Sequence, residues 1–125
     1  MRCRFGIALV VMALAAPTLA EDAAPIEVGA TKPGLTRITA QKCAPCHKEQ
    51  FKSWSEGKHA GLKPPLDCES CHGPGSEYKP MAIMKDPAKA KAAGLVTPTK
   101  EFCTKQCHQK DWKDDMIDKT HAHKV

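Results

Sequence analysis

The 125-residue sequence predicts a mainly α, loop-rich fold, and three observations carry that expectation. No stretch of useful length alternates apolar and polar residues as a strand would, whereas aromatic and ligand-type side chains recur at helical spacing. Beyond the N-terminal segment the only aromatics are Phe51, Trp54, Tyr78, Phe102 and Trp112, in a background rich in Lys, Asp, Pro and Gly. Three times a closely spaced cysteine pair ends in histidine: Cys43-Ala-Pro-Cys46-His47, Cys68-Glu-Ser-Cys71-His72 and Cys103-Thr-Lys-Gln-Cys107-His108. A small domain so poor in large apolar side chains needs a metal, disulfides or a prosthetic group to complete its core.

Taken in order, Arg2 and Arg4 precede an apolar run from Phe5 to Ala16, closed by Thr18-Leu19-Ala20 with the small-x-small pattern of a signal-peptidase site. Residues 1–20 are therefore an expected signal peptide with cleavage after Ala20, and no transmembrane segment is expected once it is removed. Cys3 leaves with it, so seven cysteines become six, an even set of three pairs. Residues 21–34, with Pro25, Gly29, Pro33 and Gly34, read as an extended leader, and residues 35–125 as one small domain.

Within that domain His47, Phe51 and Trp54 fall at i, i+4 and i+7, so a helix starting near Cys46 sets one histidine and two aromatic rings on one face, with Gly57 as its stop. From Gly61 to Pro80 the density of Pro and Gly predicts loop. Asp86-Pro87 followed by Ala-Lys-Ala-Lys-Ala-Ala and Gly94 predicts a short capped helix. Thr97-Pro98 repeats the start signal and predicts a helix running toward Cys103. Asp111 is a candidate cap for a last helix, on which Trp112 and Met116, and then Ile117 and His121, are i, i+4 pairs.

Strict C-x-x-C-H is the attachment signature of c-type haem: two thiols form thioethers to the vinyl groups and the adjacent imidazole ligates iron. Histidine is 6 of 125 residues, so its recurrence after all three pairs by chance has odds of about one in ten thousand. Zinc is the competing chemistry, because 21 residues separate Cys46 from Cys68, near the spacing of zinc ribbons. A closed four-cysteine site makes no use of the following histidines, however, and leaves the third pair over. A three-disulfide scaffold suits an exported chain but also ignores the histidines. The expectation is haem c, three in number, tethered by Cys43, Cys46, Cys68, Cys71, Cys103 and Cys107 and ligated proximally by His47, His72 and His108. The third site, C-x-x-x-C-H, carries one extra residue and admits attachment through Cys107 alone. The haems would then form much of the core of residues 35–125.

The other histidines, His59, His121 and His123, are candidate distal ligands. His121 and His123 are too close in sequence to ligate two different irons readily, so one of the two is expected to serve. One iron is then left with Met, Tyr, water or nothing. Met81 and Met84 are candidates, although such methionines are more often packing, and an open site permits small-molecule binding.

Charge gives no sign of a nucleic-acid partner. Without Arg2 and Arg4 the chain has 17 basic and 14 acidic residues, and three haems would bring six propionates. Lys42, Lys48, Lys52, Lys58 and Lys63 are interleaved with Glu49 and Glu56 rather than gathered in a basic stripe. They read as a solvated face or as a docking patch for an acidic redox protein.

The stretch Cys43-x-x-Cys46-His47, six residues, Trp54, four residues, His59-Ala60, then Cys68-Glu-Ser-Cys71-His72-Gly73-Pro74-Gly75, resembles the cytochrome c-554 family of exported multihaem electron carriers. Met84-Lys85-Asp86-Pro87 through Gly94-Leu95-Val96 to the Cys103 site is similar too, so the resemblance spans roughly residues 40–121. It implies a largely helical fold with closely packed haems, and it implies His59 and His121 as distal axial ligands. Three departures stand out: three attachment sites rather than the four of the tetrahaem carriers, the extra residue between Cys103 and His108, and Tyr78 where related sequences often have histidine after the Gly-Pro-Gly turn. The expected function is a periplasmic, trihaem electron carrier between a redox donor and acceptor, not an enzyme. The alternative is a small haem enzyme or sensor that binds nitric oxide, hydroxylamine or a similar ligand at an open iron.

Overall fold

The computed structural model describes residues 32–123, so the expected signal peptide and most of the leader lie outside the described residues. Among the described residues there are five short helices and no strand: α1 (Lys48–Ser55), α2 (Cys68–His72), α3 (Met81–Met84), α4 (Pro87–Ala92) and α5 (Lys100–Gln106), preceded by a 3-10 turn at Ala40–Lys42. The mainly α, loop-rich class is as the sequence predicts, and among the described residues no helix is long and apolar enough to cross a membrane.

Helix α1 starts immediately after His47, whose carbonyl accepts from Phe51 N at 2.8 Å, and it ends before Gly57. Phe51 and Trp54 pack ring against ring at 5.5 Å, and Trp54 Nε1 donates to Leu66 O at 2.8 Å, tying the helix to the segment that enters α2. Asp86 caps α4 by accepting from Ala88 N and Lys89 N, and Pro87 occupies the first turn, as the start signal predicts. Gly94 closes that unit at φ +105°, where a Cβ would lie 2.5 Å from Leu35 Cδ1, so only glycine fits.

Three elements differ from expectation. Within the predicted loop from Gly61 to Pro80 the motif residues Cys68–His72 are themselves a helix, because Asp67 and Ser70 form a reciprocal capping box that supplies the start which the Pro and Gly content obscures. Thr99, not Thr97, caps α5, accepting from Phe102 N at 3.3 Å. The predicted last helix is a series of turns held by i→i+3 bonds from Met116, Lys119 and Thr120. Its intended cap, Asp111, turns its carboxylate to His108 instead, at 3.1 and 3.2 Å, and an uncapped short segment does not repay helix nucleation.

The interior is small. Among the described residues Ala40, Leu66, Tyr78 and Ala90 are the buried hydrophobic ones, and the largest fully buried side chain is Ser70. The best-satisfied buried group is polar: Glu69, 2 % exposed, accepts from Ile38 N at 2.9 Å, Thr39 N at 2.8 Å and Gly75 N at 2.7 Å. Arg37 pairs with Asp67 beside it and stands 4.0 Å from Glu69. This carboxylate fastens the segment before the first cysteine pair and the turn after the second to α2.

Candidate functional site

The three cysteine pairs share one local design. At the first, Cys46 N and His47 N both donate to Cys43 O, at 3.2 and 3.0 Å, which folds the pair into a turn that presents the histidine at the start of α1. At the second, the whole motif is α2. At the third, Cys107 N and His108 N both donate to Cys103 O, at 3.0 and 2.9 Å. The extra residue there is absorbed by an i→i+5 bond at the end of α5, a local π-type turn. The histidine amide thus keeps the bond to the first cysteine's carbonyl seen at the first site.

The sites follow one another in space as they do in sequence. Cys43 and Cys68 are in hydrogen-bond contact; the contact and burial push the Cys43 thiol up, while the same contact holds Cys68 down against its burial. Cys71 lies near Cys103 and Cys107, and burial raises its thiol to about 11. A cleft between the second and third sites is lined by His59, Leu66, Cys71, Phe102, Cys103 and His108.

The histidines are brought together in opposed pairs. His59 faces His108 with ring centroids 6.1 Å apart, and His72 faces His121 at 5.9 Å. A first-row metal–imidazole bond is about 2.0–2.1 Å, so two imidazoles on opposite sides of one ion have centroids about 6 Å apart. Both pairs have that separation.

Hydrogen bonds set the ring tautomers. His72 Nδ1 lies 2.9 Å from Val96 O, His121 Nδ1 2.9 Å from Ala122 O, and His108 Nδ1 faces the Asp111 carboxylate. With Nδ1–H donated, the lone pair is on Nε2, the arrangement of ligating histidines with oriented outer partners. Burial lowers His72 and His59 below the ordinary histidine value, which keeps both neutral and able to ligate.

His123 behaves differently. Its Nε2 is 2.8 Å from Ile117 O, and its exposed ring lies against His121 at 4.5 Å. Of the two neighbouring candidates, therefore, His121 stands opposite a proximal histidine and His123 buttresses it. Met81 is 53 % exposed at the start of α3. Tyr78 is buried, donates to Gly73 O at 2.6 Å, and is held neutral by desolvation.

The residue types and spacing fit haem c: paired thiols beside a histidine at each site, and at two sites a second imidazole at the right separation. Among the described residues no three His, Cys, Asp or Glu side chains converge as a zinc site would need. Sequence reasoning missed two supporting residues. Glu69 occupies a variable position of its motif, and its partners are distant backbone amides that no local pattern announces. Asp111 was legible as a cap, but its i+3 spacing from His108 was the signal for its actual contact. No family model matches the chain, and no curated protein or solved structure is significantly similar to it.

Proposed function

We propose that the chain is an exported, periplasmic trihaem c-type cytochrome that carries single electrons between a redox-protein donor and acceptor, akin to the cytochrome c-554 family. The observation that carries this proposal is the facing of His59 with His108 and of His72 with His121, each pair next to a cysteine pair that would tether the macrocycle. Haem c supplies the one-electron iron couple when bound. The chain's own residues do the rest. The six cysteines would tether it, His47, His72 and His108 would ligate iron beside them, and His59 and His121 would supply the second imidazoles. Val96 O and Asp111 orient the imidazoles through Nδ1.

Asp111 has a further effect on potential. A carboxylate hydrogen-bonded to a ligating imidazole raises its basicity and favours the more positively charged, oxidised iron. The Asp111→Asn variant is expected to raise the potential of the third haem while leaving the other two in place. Asp111 is 66 % exposed, so solvent weakens the effect; the expected change is up to about tenfold in the redox equilibrium, about 59 mV for one electron.

Potentiometric titration of the exported protein tests both statements. Reversible one-electron steps in a haem spectrum are expected, with one step displaced in the variant. An oxidised and reduced protein with identical spectra would overturn the electron-carrier proposal.

A further inference from the structure

Asp86-Pro87 and Gly94 delimit α4, a helix of Pro, Ala and Lys that contributes no cysteine or histidine to any of the three sites. Resting on the trihaem proposal, we infer that this helix serves the second site. Its exit turn at Gly94 is a positioning device that sets the His72 imidazole through Val96, and with it the potential of the haem tethered by Cys68 and Cys71.

Val96 meets His72 at two points. Its amide donates to His72 O and its carbonyl accepts from His72 Nδ1, both at 2.9 Å. This double contact fixes residue 96 against the end of α2, so any displacement of Val96 moves the acceptor of the ring proton.

The end of α4 brings Val96 there. Gly94 N donates to Lys91 O at 3.0 Å, and Leu95 N reaches back to Ala90 O at 2.9 Å, the paired reverse bonds of a glycine-terminated helix. Val96 is the next residue in the chain, and Ala90, to which the turn is tied, has no exposure at all. The turn needs the Gly94 φ of +105°, which lies beyond the small left-handed region open to other residues. A Cβ there would also stand 2.5 Å from Leu35 Cδ1. Leu35 can swing its terminal methyl aside, but no side-chain movement relieves the backbone dihedral. Lys32 Nζ donates to Ala92 O at 2.8 Å, so the segment ahead of the first cysteine pair braces the same helix end.

A hydrogen bond from Nδ1 makes a ligating imidazole more basic and favours the oxidised iron. A side chain at position 94 swings Val96 away from His72, weakens that bond and raises the potential of the second haem. The other two sites are held independently of α4, His108 by Asp111 and His47 at the start of α1.

Potentiometric titration of the exported holoprotein, with covalent haem counted on the same sample by intact mass, tests the inference. Gly94→Ala is expected to shift one of the three one-electron equilibria about tenfold toward the reduced form, about 59 mV. Gly94→Asn, whose side chain tolerates positive φ better, is expected to shift the same one by less. That step is expected to be the one displaced in the double variant His121→Ala/His123→Ala, because His121 faces His72. Asp86→Ala separates positioning from stability. It removes the cap at the other end of α4 and lowers the melting temperature, but it leaves the exit turn in place, so all three potentials are expected to stay at the parent values.

Three haems by mass with no potential moved in either Gly94 variant would overturn this inference and leave the electron-carrier proposal standing. So would an equal shift of all three potentials, or a shift of the His72 step in Asp86→Ala as large as in Gly94→Ala. If Gly94→Ala assembles no haem, Gly94→Asn decides, and an unmoved His72 step there overturns the inference. Absence of haem from the parent protein by mass would remove the trihaem proposal itself.

Discussion

Replacing all six motif cysteines by serine is expected to abolish cooperative unfolding altogether. Ordering a backbone costs about 1–2 kcal/mol per residue, and this cost is ordinarily offset by burial of large apolar side chains. Here the buried hydrophobic residues are Ala40, Leu66, Tyr78 and Ala90, of which two are alanine. Helices of four to eight residues are not stable in isolation either. Phe51, Trp54 and Phe102 remain part-exposed beside the cysteine pairs, which is where a covalently held apolar plate would cover them. Circular dichroism during heating is the check. The cysteine-free chain should show a shallow, featureless change where the exported protein shows a sigmoidal one, and a sharp transition in the cysteine-free chain would show that the polypeptide is its own core.

The Glu69→Ala variant is expected to be the most damaging single change outside the ligand set, at about 3–5 kcal/mol, the cost of removing one partner from a buried charged network. Three backbone amides, of Ile38, Thr39 and Gly75, lose their acceptor, and Arg37 keeps only Asp67. Each amide left without a partner in a buried setting costs about 1–3 kcal/mol, and partial entry of water keeps the sum below the simple total. Space does not relieve the loss, because the turn is already tight: a Cβ on Gly75 would meet Ile38 Cδ1 at 2.7 Å. At about 4–8 °C per kcal/mol for a domain of this size, a fall of at least about 12 °C in melting temperature is expected. Glu69→Gln, which retains one carbonyl oxygen, should lose less. A Glu69→Ala protein that melts within about 2 °C of the parent would show that the segment from Arg37 to Ala40 is anchored by something other than this carboxylate.

Local chemistry was legible where it was local. Asp86-Pro87 with Gly94 specifies a capped helix completely, since every partner lies within eight residues. Gly57 likewise marks the end of α1. The capping box at Asp67 and Ser70 was equally local but hidden by surrounding prolines and glycines. The last helix failed because Asp111 had two possible partners, the backbone ahead of it and the imidazole behind it. Spacing alone does not rank a cap against a charge-assisted bond to histidine.

The candidate site divides in the same way. The cysteine pairs and the histidines that follow them are contiguous, so these motifs were legible in the sequence. The resemblance already implied His121 rather than His123, but the residues it meets are ones that only folding brings together: His72 lies 49 residues from His121 in the chain, and Val96 O, which orients His72, lies 24 residues from it. Glu69 exemplifies the same limit, because its three amide donors belong to two other segments.

The number of covalent haems is the quantity on which the proposed tether, core and iron ligation all depend. Intact mass of the denatured, exported protein measures it directly. The expected result is a chain beginning at Glu21 with three haems attached, the third through the Cys103–Cys107 turn. Two haems would contradict the equivalence of that turn with the other sites, and none would contradict the proposed function as a whole.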